Sequence, residues 1–303
     1  MMDFEKWDAL DHFISAKNVV KARLDKSIHM SLHHLHLKLQ LSNVKLHEQV
    51  TNHYQHCLQN KPNTDSLKIN WVDPSELGIT DDLWNLDANP NCRQKQIEGY
   101  NLVIQRDFIA FHDTHNNEYF FTARYILDDG LFNFIRWMMP RYLISKNKLL
   151  LHSSCIVIHE KAYFALGPSG AGKTTLATLS DPHIVLGDDM NVISIEDNKL
   201  YAVAGAVGQR IENPKLFGKK YPLGGLFWLD QAQECYLSEL KDSQKKMFLL
   251  RSIANIFWDN LNPIELEKVF KITQFIIKNS TFKQLHFQKI PEVWERVLPK
   301  QDL

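Results

Sequence analysis

Gly167-Pro168-Ser169-Gly170-Ala171-Gly172-Lys173-Thr174, followed by Thr175, fills every fixed position of the pattern Gly-x-x-x-x-Gly-Lys-[Ser/Thr]. Glycine reaches backbone conformations closed to residues with a β-carbon. A loop built on glycines turns successive N–H groups toward one point and makes a nest for oxygen anions. A helix beginning near Lys173 adds the positive end of its dipole. In such a loop the lysine brings a full charge to the β- and γ-phosphates, and the hydroxyl of Thr174 reaches Mg²⁺. The sequence therefore predicts a site for ATP and Mg²⁺ in which Gly167 through Thr175 hold the phosphates.

The flanks of the loop read as its mechanism demands. Cys155 to Ile158 and Ala162 to Leu166 are apolar strands around a Glu160-Lys161 turn, and Thr174 to Leu179 read as a helix. Beyond the helix, His183 to Leu186 read as a buried strand that ends in Gly187-Asp188-Asp189. In proteins with this loop, an Asp at that strand end holds Mg²⁺. Two adjacent carboxylates allow one, Asp188, to stay on the metal while Asp189 takes the proton of an attacking hydroxyl. Many hydrolytic ATPases end this strand in Asp-Glu. Here Asp189 is followed by Met190, which favours transfer to an acceptor over motor-type hydrolysis.

Leu151-His152-Ser153-Ser154-Cys155, then Gly167 to Thr175, then Gly187-Asp188-Asp189, together resemble the HPr kinase/phosphorylase family and its HPr-kinase-like relatives. The resemblance runs from Leu150 to Val192 and fades on either side. The Gly-Asp-Asp form is also similar to that of the ATP-dependent phosphoenolpyruvate carboxykinases, which share the core fold. What the resemblance implies is an α/β protein: a phosphate-loop core on a mixed sheet, an N-terminal β-rich or α+β subdomain, and C-terminal helices. It implies a cytoplasmic kinase that moves the γ-phosphate of ATP to a serine-type hydroxyl on a protein, a peptide or a small molecule such as free serine. Carried over residue by residue, Gly167, Ser169, Gly170, Gly172, Lys173, Thr174 and Thr175 bind phosphates and Mg²⁺. Pro168 and Ala171 complete the loop, Asp188 ligates the metal, and Asp189 is the general base. His152 sits near the γ-phosphate or holds an Asp in place. HPr kinases form rings, so a small homo-oligomer is the assembly implied.

The chain departs from the family after the acidic pair. A Glu-Ile-Arg-Gly-type signature is replaced by the stretch from Ala204 to Glu212, with Arg210 and Glu212 as candidates for its place. The basic C-terminal loop and the family's N-terminal domain are not recognisable, so the acceptor is left open rather than assigned to HPr. Two other classes share the motifs. A carboxykinase-like phosphotransferase needs a carboxylate-binding arginine set and a Lys/His metal pair, neither found in register. A nucleotide-binding regulatory module needs only the loop.

Composition agrees with an ordinary globular protein. Lys plus Arg and Asp plus Glu both number 35, so no global basic field draws the chain to nucleic acid or to an anionic membrane. The four cysteines, Cys57, Cys92, Cys155 and Cys235, lack metal-ligand spacing and are too few for a disulfide scaffold, as expected of reduced thiols in the cytosol. The N-terminus lacks the basic start and apolar run of a signal peptide. No run of about 18 apolar residues suggests a membrane helix.

The expected organisation is an N-terminal subdomain over residues 1–125 and a nucleotide-binding domain over 126–303. In the first, Leu35 to Leu41 alternates as a strand, Asn60 to Ser66 reads as a loop, and Leu102 to Phe111 reads as one strand. A polar tip at His112 to Glu118 turns into a return strand at Tyr119 to Tyr125. Asp128-Asp129 is placed to cap a helix at Leu131 that Pro140 kinks or ends. The histidines His29, His33, His34, His36, His47, His53 and His56 read as polar faces rather than a metal set. In the second, Asn191 to Ile195 and Lys199 to Val203 form a hairpin, and Gly225 to Leu229 a strand. Asp242 caps a helix carrying Phe248, Leu249, Ile253, Ile256 and Phe257. Pro263 starts another helix, and Leu285 to Phe287 close the sheet. Phe257, Trp258 and Phe270 read as core.

Overall fold

In the computed structural model, residues 26–298 are described apart from 33–34, 42, 60–65, 78, 80–92, 98, 106, 206–213 and 255–260. All of the expected Asn60 to Ser66 loop except its last residue, together with Arg210, Glu212, Ile256, Phe257 and Trp258, thus lies outside the described residues. The chain divides into two compact units, Met1–Trp137 and Met138–Leu303. Both carry mixed sheets and helices, so the class is α/β. Among the described residues no helix is long and apolar enough to cross a membrane.

The first unit is built on a sheet of β1 (Lys26–Leu32), β2 (Leu35–Leu41), β3 (Leu67–Trp71), β4 (Arg93–Ile97), β5 (Tyr100–Ile104), β6 (Ile109–Asp113) and β7 (Glu118–Thr122), in the order β1-β2-β3-β7-β6-β5-β4. Leu35, Leu37, Leu39 and Leu41 are buried while His36, Lys38 and Gln40 are half-buried, the alternation expected of a strand with one face covered. The partner strand β1 was not anticipated. It pairs antiparallel with β2 and buries Ile28, Met30 and Leu32 on the same face.

The single strand expected from Leu102 to Phe111 is two strands. The polar residues 105–107 break it, Gln105 N–H donates to the Phe108 carbonyl at 2.9 Å, and β5 folds back on β6. At the polar tip beyond β6, buried Asp113 accepts from the N–H groups of His115 and Asn116, both at 3.1 Å, and fixes the turn. The Asp128-Asp129 cap is also corrected. A π-helical turn, Ile126–Gly130, precedes the helix Leu131–Ser145, and that helix runs through Pro140 without ending there.

The second unit holds β8 (Lys148–Ile158), β9 (Lys161–Leu166), β10 (Ile184–Gly187), β11 (Met190–Glu196), β12 (Lys199–Val203), β13 (Lys220–Gln231), β14 (Tyr236–Glu239) and β15 (Phe282–Phe287). The hairpins β8–β9 and β11–β12 turn on residue pairs with positive φ, His159-Glu160 and Asp197-Asn198. Two-residue turns of that hand match the twist of the strands they join. Both β8 and β13 are long enough to change partners along their length. The first half of β8 pairs with β11 and the second with β9. The start of β13 pairs with β12 and the remainder with β9. The pairings therefore close a ring, β8 to β11 to β12 to β13 to β9 and back. Strand β15 adds parallel to β13, and β14 adds antiparallel to β15.

Helices complete this unit. The helix Pro263–Lys278 opens with a reciprocal cap between Asn262 and Glu265. Its buried face is Val269, Ile272, Thr273 and Ile276. Phe270, expected in the core, is 47% exposed because it falls on the opposite face. The helix Asp242–Ser252 is shorter than its pattern suggested. Asp242 is its first residue rather than its cap, and Ile253 leaves it to bridge Leu151 of β8. There the Ala254 N–H donates to the Leu150 carbonyl at 2.9 Å.

Candidate active site

Strand β9 delivers the chain into the glycine-rich loop, and the helix Lys173–Leu179 takes it away. Phe164 and Leu166 of β9 are fully buried, so the loop is anchored in the core on its incoming side. The helix buries Leu176 and Ala177 and is held from behind. Trp294 of the helix Val293–Val297 donates its indole N–H to Ser180 Oγ at 2.7 Å, and that hydroxyl donates to the Leu176 carbonyl at 2.6 Å.

Two glycines of the loop have a structural reason. Gly170 sits at φ +79 with open space around its missing side chain. Gly172, the residue before the helix, sits at φ +103, and a β-carbon there would lie 2.7 Å from Phe287 Cζ at the end of β15. Both the backbone conformation and the close approach require glycine.

Lys173 is only 6% exposed. Its ammonium donates to the carbonyls of Gly167 at 2.9 Å and Pro168 at 3.1 Å, folding the side chain back over the loop. Burial pushes the Lys173 ammonium below its ordinary lysine range, and the Asp189 carboxylate acts in the opposite sense.

The acidic pair is reached by a route the sequence did not show. Strand β10 is an edge strand with Ile184 37% exposed, not the buried strand expected, because among the described strands it pairs only with β8. Gly187 faces Cys155 of β8, and three residues on Met190 faces His152. Asp188 and Asp189 therefore interrupt what is otherwise one ladder along β8. A register shift between Val185 and Gly187 bends the chain just ahead of them. The Ser153 N–H donates to the Asp189 carbonyl at 2.9 Å. Buried Asn191 donates to the Ser153 and Gly187 carbonyls at 2.7 and 3.2 Å, tying both sides of the interruption together. Asp188 is 3% exposed. His152 Nε2 lies 3.3 Å from Asp189 Oδ1.

These elements meet around one cavity of about 370 Å³. From the loop and its helix it is lined by Ser169, Gly170, Gly172, Lys173, Thr174 and Thr175, and from β8 and the acidic pair by His152, Asp188 and Asp189. Gly167, Pro168 and Ala171 do not line it. Gly167 and Pro168 contribute the carbonyls that hold Lys173, and the Ala171 methyl packs behind the loop with the apolar cluster of Phe227 and Phe287.

Two lining residues were missed by sequence reasoning. Gln231, the last residue of β13, donates its amide to the Gly170 carbonyl at 2.9 Å and so holds the loop tip. Lys289 follows β15 and lines the same cavity. Neither belongs to a local pattern. Their places follow from the parallel pairing of β13 with β9 and with β15, which brings all three strand ends to the loop. Cys155, opposite Gly187, is no rival nucleophile. It is fully buried and its thiol pKa is pushed far up by that burial.

Neither a family model nor a curated protein sequence matches the chain. Among solved structures, the Hpr(Ser) kinase/phosphatase from Coxiella burnetii is similar to it, with a TM-score of 0.24 and 23% identity. The overlap covers 31% of this chain and 64% of that one, which is less than two thirds of its length. A TM-score of that size carries no argument about architecture or chemistry. What this chain does has to be read from its own cavity.

Proposed function

We propose that the chain is a phosphotransferase that binds ATP with Mg²⁺ through a phosphate loop of the HPr-kinase-like type and moves the γ-phosphate to an acceptor hydroxyl. The observation that carries this reading is the convergence of Lys173, Thr174, Asp188, Asp189 and His152, from three separate segments, on one cavity. A cavity that needed only to bind nucleotide would have no use for a second carboxylate held by a histidine.

The roles follow from chemistry. The N–H groups of the loop and the Lys173 ammonium, once it exchanges its two carbonyl partners for phosphate oxygens, stabilise the negative charge of the transferred group. A hard divalent cation takes oxygen donors, usually one or two from the protein with phosphate and water completing the set. The Thr174 hydroxyl and the Asp188 carboxylate are two such donors on the same cavity, so the residues fit Mg²⁺. Bound there, the ion neutralises charge on the phosphates. Asp189 accepts the proton of the acceptor hydroxyl, and His152, at 3.3 Å, orients that carboxylate.

The test is transfer of label from γ-labelled ATP and Mg²⁺ in an extract of the protein's own source, beside a Lys173→Ala control. Label in a protein or peptide that the control lacks identifies a serine-type protein or peptide kinase. Label in the small-molecule fraction identifies a metabolite kinase, with free serine as the first candidate. ATP binding without any Lys173-dependent transfer overturns the kinase reading and leaves a nucleotide-binding regulatory module.

A further inference from the structure

Three neighbouring strands bring an aspartate, a histidine and a serine side by side, and none of the three lines the cavity around Lys173. Asp230 of β13 faces His286 of β15 across a parallel pairing, and Ser238 of β14 faces Gln284 of β15 across an antiparallel one. His286 Nδ1 is 3.1 Å from Asp230 Oδ2. Ser238 Oγ is 2.9 Å from His286 Nε2. With the ring proton on Nδ1, the side of the carboxylate, the neutral imidazole leaves Nε2 to accept from the serine O–H.

The relay is fixed from outside as well. Gln284 Nε2 donates to the same Asp230 oxygen at 3.1 Å, and the Tyr236 ring stacks on the imidazole at 4.3 Å and 11°. A nucleophile, a base within reach of its proton, and a third group that sets the tautomer and orientation of the base form the arrangement that activates a serine, whatever the fold.

We propose that Ser238, His286 and Asp230 form a second reactive site, a serine nucleophile for small carboxylic esters. Ser238 Oγ bonds to the ester carbonyl carbon while its proton passes to His286 Nε2. The carbon–alkoxy bond then breaks, and the same proton leaves with the alcohol. Water repeats the sequence on the acyl-serine and releases the acid. No oxidant or further co-reactant is involved.

The substrate class follows from the surroundings. Tyr236 is 49% exposed and offers a flat apolar platform beside the histidine, suited to an aryl or short acyl group. Asp230 is on the exposed side of the relay, where water screens its charge. Turnover is accordingly slow, with the base contributing near the lower end of its usual range of about 10²–10⁴-fold.

The full chain is treated with a fluorophosphonate, whose fluoride a reactive serine oxygen displaces, and the adduct is located by peptide mass. Hydrolysis of p-nitrophenyl acetate is followed in parallel. The expected result is an adduct on Ser238 that is absent in Ser238→Ala. Adduct formation and ester hydrolysis slow at least about tenfold in His286→Gln and in Asp230→Asn, as loss of a base and of its orienting group requires. Asp230→Asn keeps side-chain size and serves where His286→Gln does not fold as judged by circular dichroism. A folded wild-type chain without an adduct on Ser238, or labelling that neither variant slows, makes Ser238 an ordinary surface hydroxyl and overturns the proposal. Both readouts, the adduct on Ser238 and ester hydrolysis, are made without ATP, so their failure is distinct from failure of the kinase reading.

Discussion

His152 Nε2 lies 3.3 Å from Asp189 Oδ1, although one residue sits within a long strand and the other in a break between two short ones. The contact sets Asp189 beside an imidazole in the cavity. If Asp189 is the base, Asp189→Asn keeps ATP affinity within a few-fold and lowers transfer by about 10²–10⁴. Titration with a fluorescent ATP analogue and labelled-phosphate transfer measure the two separately. Transfer that survives Asp189→Asn rules out this assignment. His152→Gln is expected to lower the transfer rate by a smaller factor than Asp189→Asn, because it removes the orienting group and leaves the base.

Lys173→Ala is expected to lower ATP affinity at least tenfold, since it removes the one full charge inside the loop. A finer prediction concerns protons. Burial holds the Lys173 ammonium below its ordinary range. Phosphates close to it favour the charged form and raise its pKa again. Between the two values, on the alkaline side, nucleotide binding must take up protons. Calorimetry in buffers of different ionisation enthalpy reads this uptake, and Lys173→Met abolishes it. The same shift has a consequence for folding. The unfolded chain holds this proton more tightly than the folded one, so the contribution of Lys173 to stability rises with pH from the lowered folded value up to the ordinary lysine value.

The loop tip offers a third test. Gln231→Ala removes the donor to the Gly170 carbonyl. A hydrogen bond of this kind contributes about 0.5–1.5 kcal/mol, so ATP affinity is expected to fall about two- to tenfold with little change in thermal midpoint. Gly172→Ala is expected to be far more damaging. The new methyl meets the Phe287 ring at 2.7 Å, and φ +103 is a conformation that alanine resists. Left-handed backbone alone costs about 1–2 kcal/mol. Nucleotide titration of a folded Gly172→Ala chain that bound as tightly as wild type would show that the loop does not act through its geometry.

Ser180 carries a stability prediction independent of any ligand. Its hydroxyl accepts from the Trp294 indole and is buried. Ser180→Ala leaves that N–H without its partner, at a cost of about 1–3 kcal/mol in urea unfolding. Asn262→Ala removes a helix cap in contact with solvent and is expected to cost about 1 kcal/mol, with no change in nucleotide affinity.

Much of the second unit was legible from local patterns. The strand–loop–helix around Lys173 lies where the glycines and apolar runs put it, and the hairpins at His159-Glu160 and Asp197-Asn198 fall within one residue of the expected turns. The helix at Pro263 starts where the proline predicts. Errors came where a period was ambiguous or a partner was remote. The run from Leu102 to Phe111 reads as one strand, because only a short polar break interrupts its apolar residues. Ile184 to Leu186 reads as buried because apolarity does not reveal that a strand has a neighbour on one side alone. Phe270 reads as core until the helix phase set by Val269, Ile272 and Ile276 turns it outward.

The sequence by itself determined the elements that local chemistry specifies: a glycine loop with its lysine and threonines, two adjacent carboxylates, and apolar runs of strand and helix length. Those depend on neighbours a few residues apart, and backbone sterics and side-chain type decide them. Only the tertiary structure decided that β10 and β11 continue one another along β8, which puts Asp189 beside His152. It alone brought Gln231 to Gly170 and Lys289 to the cavity, and set Asp230, His286 and Ser238 side by side. Each of these contacts joins residues far apart in the chain, and the pairing register of strands packed over a shared core fixes them. A register is a property of the whole sheet, so no local window of the sequence contains it.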